Sequence, residues 1–392
     1  MDELALLVAA AGGEVAGRMV QSRDRVDAAT FIGKGKTQEL ADLCQSEKAT
    51  LAVFDEDLSP AQVKNLEKAL GCRVTDRTGV ILDIFARRAR SREAKTQVEL
   101  AQYNYLLPRL TKAWAHLSRQ AGGIGTRGVG ETQLETDRRV IRRRIAALKR
   151  SLDHIASRRD VQRRSRKETY AAALVGYTNA GKSSLLNRLS AADVAVENRP
   201  FSTLDTTFRR LPLDGFIPPV VLIDTVGLVR KLPHHLVASF RSTLEQAREA
   251  SVILHVVDVS HPEFDERAQT ALEVLAQLEL GDVPILTVLN KVDVAPPPLL
   301  ARAANLYPEG LPVSAVTGGG LRELKAAITK TLLAAENAQY FFVPFESWPE
   351  ARDACAGLRV LSETYLPEGV RLWVTGNGER IEALRRLIEA HS

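Results

Sequence analysis

The chain is short of cysteine, of aromatic residues and of long apolar runs, and each shortage excludes something. Cys44, Cys72 and Cys355 are scattered over 392 residues without metal-ligand spacing. That excludes a disulfide scaffold and a zinc finger, and reduced thiols of a cytoplasmic protein are expected. Aromatic residues are 5% of the chain, without an RNA-recognition aromatic signature, so any nucleic-acid readout is expected to be of shape and backbone. No apolar run approaches the length of a membrane span and no signal peptide opens the chain, so neither membrane insertion nor export is expected. Internal repeats and low-complexity tracts are absent too.

What is present is the composition of a globular protein, 45% hydrophobic and 26% charged, long enough for two or three cores. The net charge of +5 is unevenly placed. Residues 1–80 read as a small α/β unit, with "DELALLVAAA", "GKTQELADLCQ" and "SPAQVKNLEKAL" as helices and "EVAGRMV" and "TLAVFDED" as strands. Residues 81–168 read as a basic helical hairpin: one arm at roughly 80–119, with Pro108 as an interruption, then a glycine-rich tip and a second arm at roughly 132–167. Ile141, Ile145, Leu148, Leu152 and Ile155 form an a/d seam, facing Val98, Ala101 and Tyr105. From Arg138 to Lys167 the second arm carries thirteen cations, including Arg139, Arg142, Arg143, Arg144, Lys149 and Arg150, against only Asp153 and Asp160. A solvated coiled-coil face would mix both signs, so a polyanion contact is expected.

The tip, "GGIGTRGVGETQLETDRR" from Gly122 to Arg139, contains the regular expression of a dinucleotide fingerprint. That fingerprint works between a strand and a helix, and this loop follows a helix; Thr132 and Glu135 suggest a capping box that starts the next one. The loop therefore needs a different use.

Residues 169–336 alternate strands ("AAALVGY", "PVVLIDT", "VILHVVD", "VPILTVLN", "LPVSAV") with helices, which predicts an α/β P-loop fold with a doubly wound, mostly parallel sheet. Residues 337–392 read strand, helix, two strands joined near "LPEGV", helix, a small α+β domain. "GYTNAGKSS" (Gly176, Tyr177, Thr178, Asn179, Ala180, Gly181, Lys182, Ser183 and Ser184) satisfies the phosphate-loop pattern between a strand and a helix. Its amides would cradle phosphates, Lys182 would reach the β/γ oxygens, and the Ser183 hydroxyl would join Mg²⁺. "NKVD" (Asn290, Lys291, Val292, Asp293) selects guanine. Asp293 can accept from N1–H and the 2-amino group, Lys291 would pack over the base and Asn290 would brace the phosphate loop. "SAV" (Ser314, Ala315, Val316) would offer a backbone N–H to O6. "DTVG" (Asp224, Thr225, Val226, Gly227) would hold Mg²⁺ through water at Asp224 and meet the γ-phosphate with the Gly227 N–H.

In "FSTLD" (Phe201, Ser202, Thr203, Leu204, Asp205), Thr203 is the choice for the switch hydroxyl on Mg²⁺, with Thr206 and Thr207 as competitors. Regulatory GTPases often place a water-orienting Gln where this chain has Leu228, so intrinsic hydrolysis is expected to be slow. Two roles stay open for Asn179: a ligand for a monovalent cation such as K⁺ against the phosphates, or a hydrogen bond to the switch. His234 and His235 have no carboxylate beside them and are expected to pack or solvate.

Over nearly its whole length the chain resembles the HflX family of GTPases, close to the Obg group. The resemblance is carried by "FIGKGKTQEL", "GGIGTRGVGETQLETDRR", "GYTNAGKSSLLNRL", "FSTLD", "DTVGLVRKLPHHLVASFRSTLE" and "NKVD". It implies a monomer that binds the large ribosomal subunit, hydrolyses GTP when stimulated by it, and splits stalled or idle ribosomes. It also implies a use for the tip: the hairpin loop would enter ribosomal RNA near the peptidyl-transferase centre, with Arg127 on phosphate and glycines keeping the backbone thin. The alternative is a GTP-gated RNA-binding factor in large-subunit assembly. Two departures stand out. Leu228 occupies a position where the family usually has Phe, and the chain begins at the helix that normally follows a first β-strand.

Overall fold

The computed structural model describes residues 2–22, 25–111, 129–164, 170–190, 201, 207–213, 219–230, 250–277, 283–335, 338–376 and 378–390. It divides into two compact units. One holds Met1–Val161 with Asn198–Asp205 and Lys231–Ser242; the other holds Gln162–Glu197, Thr206–Arg230 and Thr243–Ser392.

In the first unit, α2 (Lys34–Ser46) and α3 (Pro60–Leu70) pack with two short parallel strands, β1 (Leu51–Phe54) and β2 (Arg73–Asp76), while α1 (Asp2–Ala10) packs on the helix that follows β2. α3 forms where the local chemistry requires it: Ser59 and Gln62 make a reciprocal capping box, Pro60 occupies the first turn, and Gly71 stops the helix in the left-handed conformation. Alternate residues of both strands turn inward, and Ala52, Phe54 and Val74 join Leu58, Leu66 and Leu70 in the core. "EVAGRMV" is not a strand. It runs as irregular, mostly exposed chain, because alternating apolar residues form a strand only where another strand offers hydrogen bonds. β2, in "CRVTD", is a strand that the sequence pattern did not single out.

The first hairpin arm is not one helix. It is broken into α4 (Arg77–Arg88) and α5 (Arg92–Leu106) because Ala89 is extended and the Ser91 side chain accepts the Ala94 N–H, starting a new helix. α5 stops just before Pro108, which has no N–H to continue it. α6 (Val129–Arg164) begins before Thr132, so that residue lies inside the helix and not at its start. Along α6 the seam is visible in the burial: Leu148 is buried and Ile141, Ile145, Leu152 and Ile155 half-buried, while Arg139, Arg142, Arg143, Lys149 and Arg150 are exposed. Arg144 is bound to Glu99 of α5 at 2.7 Å. Residues 112–128, including the glycine tip and Arg127, lie outside the described residues.

Asp76 is the knot of this unit. Fully buried at the end of β2, its carboxylate accepts the Gly79 N–H that caps α4 (3.0 Å) and the Leu58 N–H (3.2 Å). It also accepts the Tyr105 hydroxyl (2.8 Å) and Arg109 Nη2 (2.7 Å). Arg109 stacks on the Tyr105 ring at 3.5 Å, thirteen residues before the tip.

The second unit carries a six-stranded sheet in the order β4-β5-β3-β6-β7-β8. Its strands are β3 (Tyr170–Gly176), β4 (Thr207–Leu211), β5 (Val220–Asp224), β6 (Val252–Asp258), β7 (Ile285–Asn290) and β8 (Leu311–Pro312). Only β4 is antiparallel, so the sheet is mostly parallel as the βα alternation required. α7 (Lys182–Ser190) and α10 (Leu321–Ala335) contribute to one core with Leu174, Leu185, Leu222, Leu254 and Ile328. α8 (Phe264–Gln277) and α9 (Pro297–Leu306) contribute to another with Val257, Phe264 and Ala303. Residues from Gln339 on form β9 (Gln339–Pro344), α11 (Trp348–Ala354), β10 (Arg359–Leu366), β11 (Gly369–Thr375) and α12 (Gly378–Ala390). Leu361 of β10 is fully buried in the core of the larger sheet, so this sheet domain caps it.

His255 on β6 is fully buried, and burial pushes its pKa down to about 4 against a weaker pull from the Ala268 backbone. The unfolded chain takes up a proton near pH 6.5 and the folded chain only near 4. Stability is therefore complete above about 6.5 and lost as pH falls through that window, by at most a few kcal/mol. His255→Leu is expected to lower the midpoint of acid unfolding measured by circular dichroism; an unchanged midpoint contradicts the assignment.

Candidate nucleotide-binding site

β3 runs straight into the glycine loop, and α7 leaves it at Lys182. Two glycines are required here for space. A Cβ on Gly176 would lie 2.3 Å from the Val256 carbonyl oxygen, and one on Gly181, at φ +91°, would lie 2.2 Å from Asn290 Nδ2. Asn179 also adopts a left-handed conformation (φ 62°) at the exposed tip of the loop.

The residue that follows the DTVG segment is stitched to this loop. Thr178 N–H donates to the Leu228 carbonyl (2.7 Å) and Leu228 N–H to the Gly176 carbonyl (3.1 Å). The Leu228 side chain is 1% exposed, so the position open to a water-orienting glutamine is filled by a buried leucine. Asp224, buried at the end of β5, accepts the Ser183 hydroxyl at 2.7 Å. A hydroxyl and a carboxylate in contact at the foot of a phosphate loop are the hard oxygen donors that Mg²⁺ takes, so the residues fit that ion. Thr225 donates its hydroxyl to the Leu174 carbonyl, and Val226 is buried. Gly227 sits where a Cβ would meet Thr178 Cγ2 at 2.8 Å and Lys182 Nζ at 3.3 Å.

Lys182 is 6% exposed and donates to the carbonyls of Gly176 (3.0 Å) and Tyr177 (2.9 Å). Burial lowers its pKa to about 8, against a smaller upward pull from Asp224. The ammonium is thus held in place at the expense of solvation, which an anion beside it would restore.

Asn290 joins three segments. Its Nδ2 donates to the Ala180 carbonyl (2.8 Å) and its Oδ1 accepts the Ala315 N–H (3.2 Å). The Ala315 amide is therefore already committed, whereas Val316 is exposed. Ser314 is buried and its hydroxyl accepts the Thr317 N–H. Asp293 is exposed, Val292 and Ser184 half-buried. Lys291, at φ 67°, is tied by Nζ to Asp258 at 2.6 Å. Asp258 was not anticipated; its signal is the acid that ends "VILHVVD", one strand over from "NKVD" and in register with Asn290. The ion pair fixes the direction of the Lys291 stem. Tyr177 is likewise anchored, its hydroxyl accepting the Arg230 N–H at 2.8 Å.

Phe201, proposed from the sequence to line the nucleotide site, packs within the first unit. Its ring is buried edge-on against Phe85 of α4, with centroids 4.8 Å apart, inside the first unit. Ser202, Thr203, Leu204, Asp205 and Thr206 lie outside the described residues, as do His234 and His235; Thr207 is the first residue of β4.

Three family models match the chain: a GTP-binding GTPase N-terminal region over residues 1–86, a GTP-binding GTPase middle region over 88–166, and a 50S ribosome-binding GTPase domain over 171–291. GTPase HflX of Caldanaerobacter subterraneus is 42% identical over 99% of this chain and 90% of its own. GTPase HflX of Escherichia coli is 43% identical over 87% and 80%. Among solved structures, a GTP-binding protein from Sulfolobus solfataricus in complex with GDP aligns over 84% of this chain and 94% of its own, at 25% identity and TM-score 0.44.

Proposed function

The chain belongs to the HflX family of GTPases, and on that premise we propose that it acts in the cytoplasm on the large ribosomal subunit, dissociating stalled or idle ribosomes. It binds and hydrolyses GTP, and P-loop GTPases generally use Mg²⁺ with the nucleotide. Ser183 and Asp224 would hold that ion, with Thr203 completing the set when the γ-phosphate is present; Mg²⁺ there would neutralise charge on the phosphates. Lys182 and the Gly227 amide would meet the phosphate oxygens. Phosphate-loop and DTVG backbones would line the pocket, with Asp293, the Lys291 stem and the Val316 end of "SAV" on guanine. Asn179 would add a K⁺ ion.

The observation that supports the ribosomal reading best is the α6 surface. Its apolar seam is buried or half-buried, while the intervening arginines and lysines face solvent with hardly an acid among them. Such a face suits phosphate neutralisation. The loop from residue 112 to 128, with Arg127, would reach into the RNA beside it. With Leu228 buried, the missing water-positioning group is what the ribosome would compensate for, so turnover by the free monomer would be slow.

GTP turnover measured alone and with purified large subunits, in potassium and in sodium buffer, tests this. Stimulation by subunits is expected, and stimulation by potassium if Asn179 holds the ion; turnover indifferent to subunits rejects the ribosome as activator. Dissociation of ribosomes by the protein with a non-hydrolysable GTP analogue separates splitting from a role in subunit assembly, which predicts none.

Because Arg144 is engaged by Glu99, phosphate contact is tested at its neighbours. Replacing Arg139, Arg142 and Arg143 by Ala is expected to weaken subunit binding and reduce the slope of log K against log salt by up to about 2–3, with GTP affinity unchanged. An unaltered slope removes the polyanion reading. Asp293→Asn is expected to shift preference from guanine to xanthine nucleotides by about 10²-fold or more, as the hydrogen-bond pattern inverts. Retained guanine preference in a competition assay contradicts the pocket.

A further inference from the structure

Two of the three cysteines sit together. Cys44, near the end of α2, and Cys72, between α3 and β2, hold their sulfurs 3.8 Å apart across 28 residues of sequence. A disulfide bond is about 2.05 Å long, so each sulfur needs to move by only about 0.9 Å. The two differ in access. Cys44 is 6% exposed, packed in the core with Phe54, Leu66 and Leu70. Cys72 is half-buried and lines an open cleft of about 630 Å³ with Thr50, Glu67 and Arg73. Burial, together with the neighbouring Cys72, pushes the Cys44 thiol up to about 11, so at neutral pH it is a protonated thiol and a poor first nucleophile. One sulfur open to small solutes and a second waiting behind it is the arrangement of an attacking and a resolving cysteine.

We propose that Cys72 and Cys44 form an oxidation site at which a peroxide converts the thiol pair into an intramolecular disulfide. The Cys72 thiolate attacks one peroxide oxygen; the S–O bond forms as the O–O bond breaks, leaving a sulfenic acid and, after protonation, one water. Cys44 gives up its proton and attacks the Cys72 sulfur, and the displaced hydroxide takes a proton to leave as the second water. Two electrons pass from sulfur to peroxide, so two thiols and one hydrogen peroxide give one disulfide and two waters. The new bond joins the end of α2 to the turn before β2 and closes a loop containing β1 and α3, which restricts the unfolded chain.

The test is peptide mapping by mass spectrometry on the full chain, treated with hydrogen peroxide and then alkylated under denaturing conditions. A cross-linked peptide containing Cys44 and Cys72, about 2 Da lighter than the sum of its parts and reversed by dithiothreitol, is expected, with Cys355 alkylated. Cys44→Ser is expected to leave Cys72 as a sulfenic acid that dimedone traps; Cys72→Ser is expected to leave Cys44 alkylatable. The oxidised protein is expected to melt at a higher temperature than the reduced one, a difference absent in both variants. Cys72 driven to sulfinic acid without a cross-link, a disulfide between two chains, or a pair that stays reduced while Cys355 oxidises would each overturn the proposal.

Discussion

Lys182→Ala is expected to lower single-turnover GTP hydrolysis by about 10²–10³-fold, with far-UV circular dichroism unchanged. Phosphoryl transfer depends on charge stabilisation around the γ-phosphate, and a buried cation in a water-poor loop is worth more there than in solvent. The Gly176 and Tyr177 carbonyls hold the Lys182 ammonium within the loop. The same burial predicts a pH dependence. The free lysine titrates near 8, whereas a bound triphosphate favours its charged form and raises that value. Above about pH 8, binding must therefore take up a proton, and GTP affinity is expected to fall by up to about tenfold per pH unit; below it, affinity is flat. Isothermal titration in buffers of different ionisation enthalpy measures both the affinity and the proton uptake. Hydrolysis by Lys182→Ala within about tenfold of wild type, or proton-independent binding at pH 9, would remove Lys182 from the phosphates.

Asp76→Ala is expected to destabilise the first unit by about 3–5 kcal/mol, mostly through the Arg109 guanidinium left without its carboxylate. Burial and the Asp76 carboxylate also hold the Tyr105 phenol above its usual range, which marks how tightly that hydroxyl depends on this partner. Loss of the α4 cap adds about 1 kcal/mol. Asp76→Asn keeps the shape and most of the acceptors and is expected to cost less than Asp76→Ala. Urea unfolding followed by circular dichroism ranks the two. A cost below about 1 kcal/mol for the alanine variant would show that the knot is dispensable. Because Arg109 lies on the arm that leads to the tip, the same variant is expected to weaken stimulation by large subunits more than GTP affinity.

The parts of this protein legible before folding are those whose chemistry is local. The phosphate loop is legible because its residues are consecutive and only glycine fits at Gly176 and Gly181. The helix α3 is legible from Ser59, Pro60, Gln62 and Gly71, and the β9-to-α12 order from alternation and turns. The arginines of α6 follow from a seam spacing that burial repeats residue by residue. Tertiary structure decided whatever depends on a partner distant in sequence. "EVAGRMV" alternates like a strand but has no strand to bond, whereas β2 is only four residues long and exists because β1 lies beside it. The break at Ala89–Ser91 overrides a helical pattern through one cap. Asp258 acquires meaning only when β6 and β7 align it with Lys291, and Asp76 only when α5 and Arg109 fold back on β2. The commitment of the Ala315 amide to Asn290, and of Arg144 to Glu99, has the same origin. Periodicity and motif spacing describe which groups a chain carries; which donor meets which acceptor is set by long-range closure of the fold.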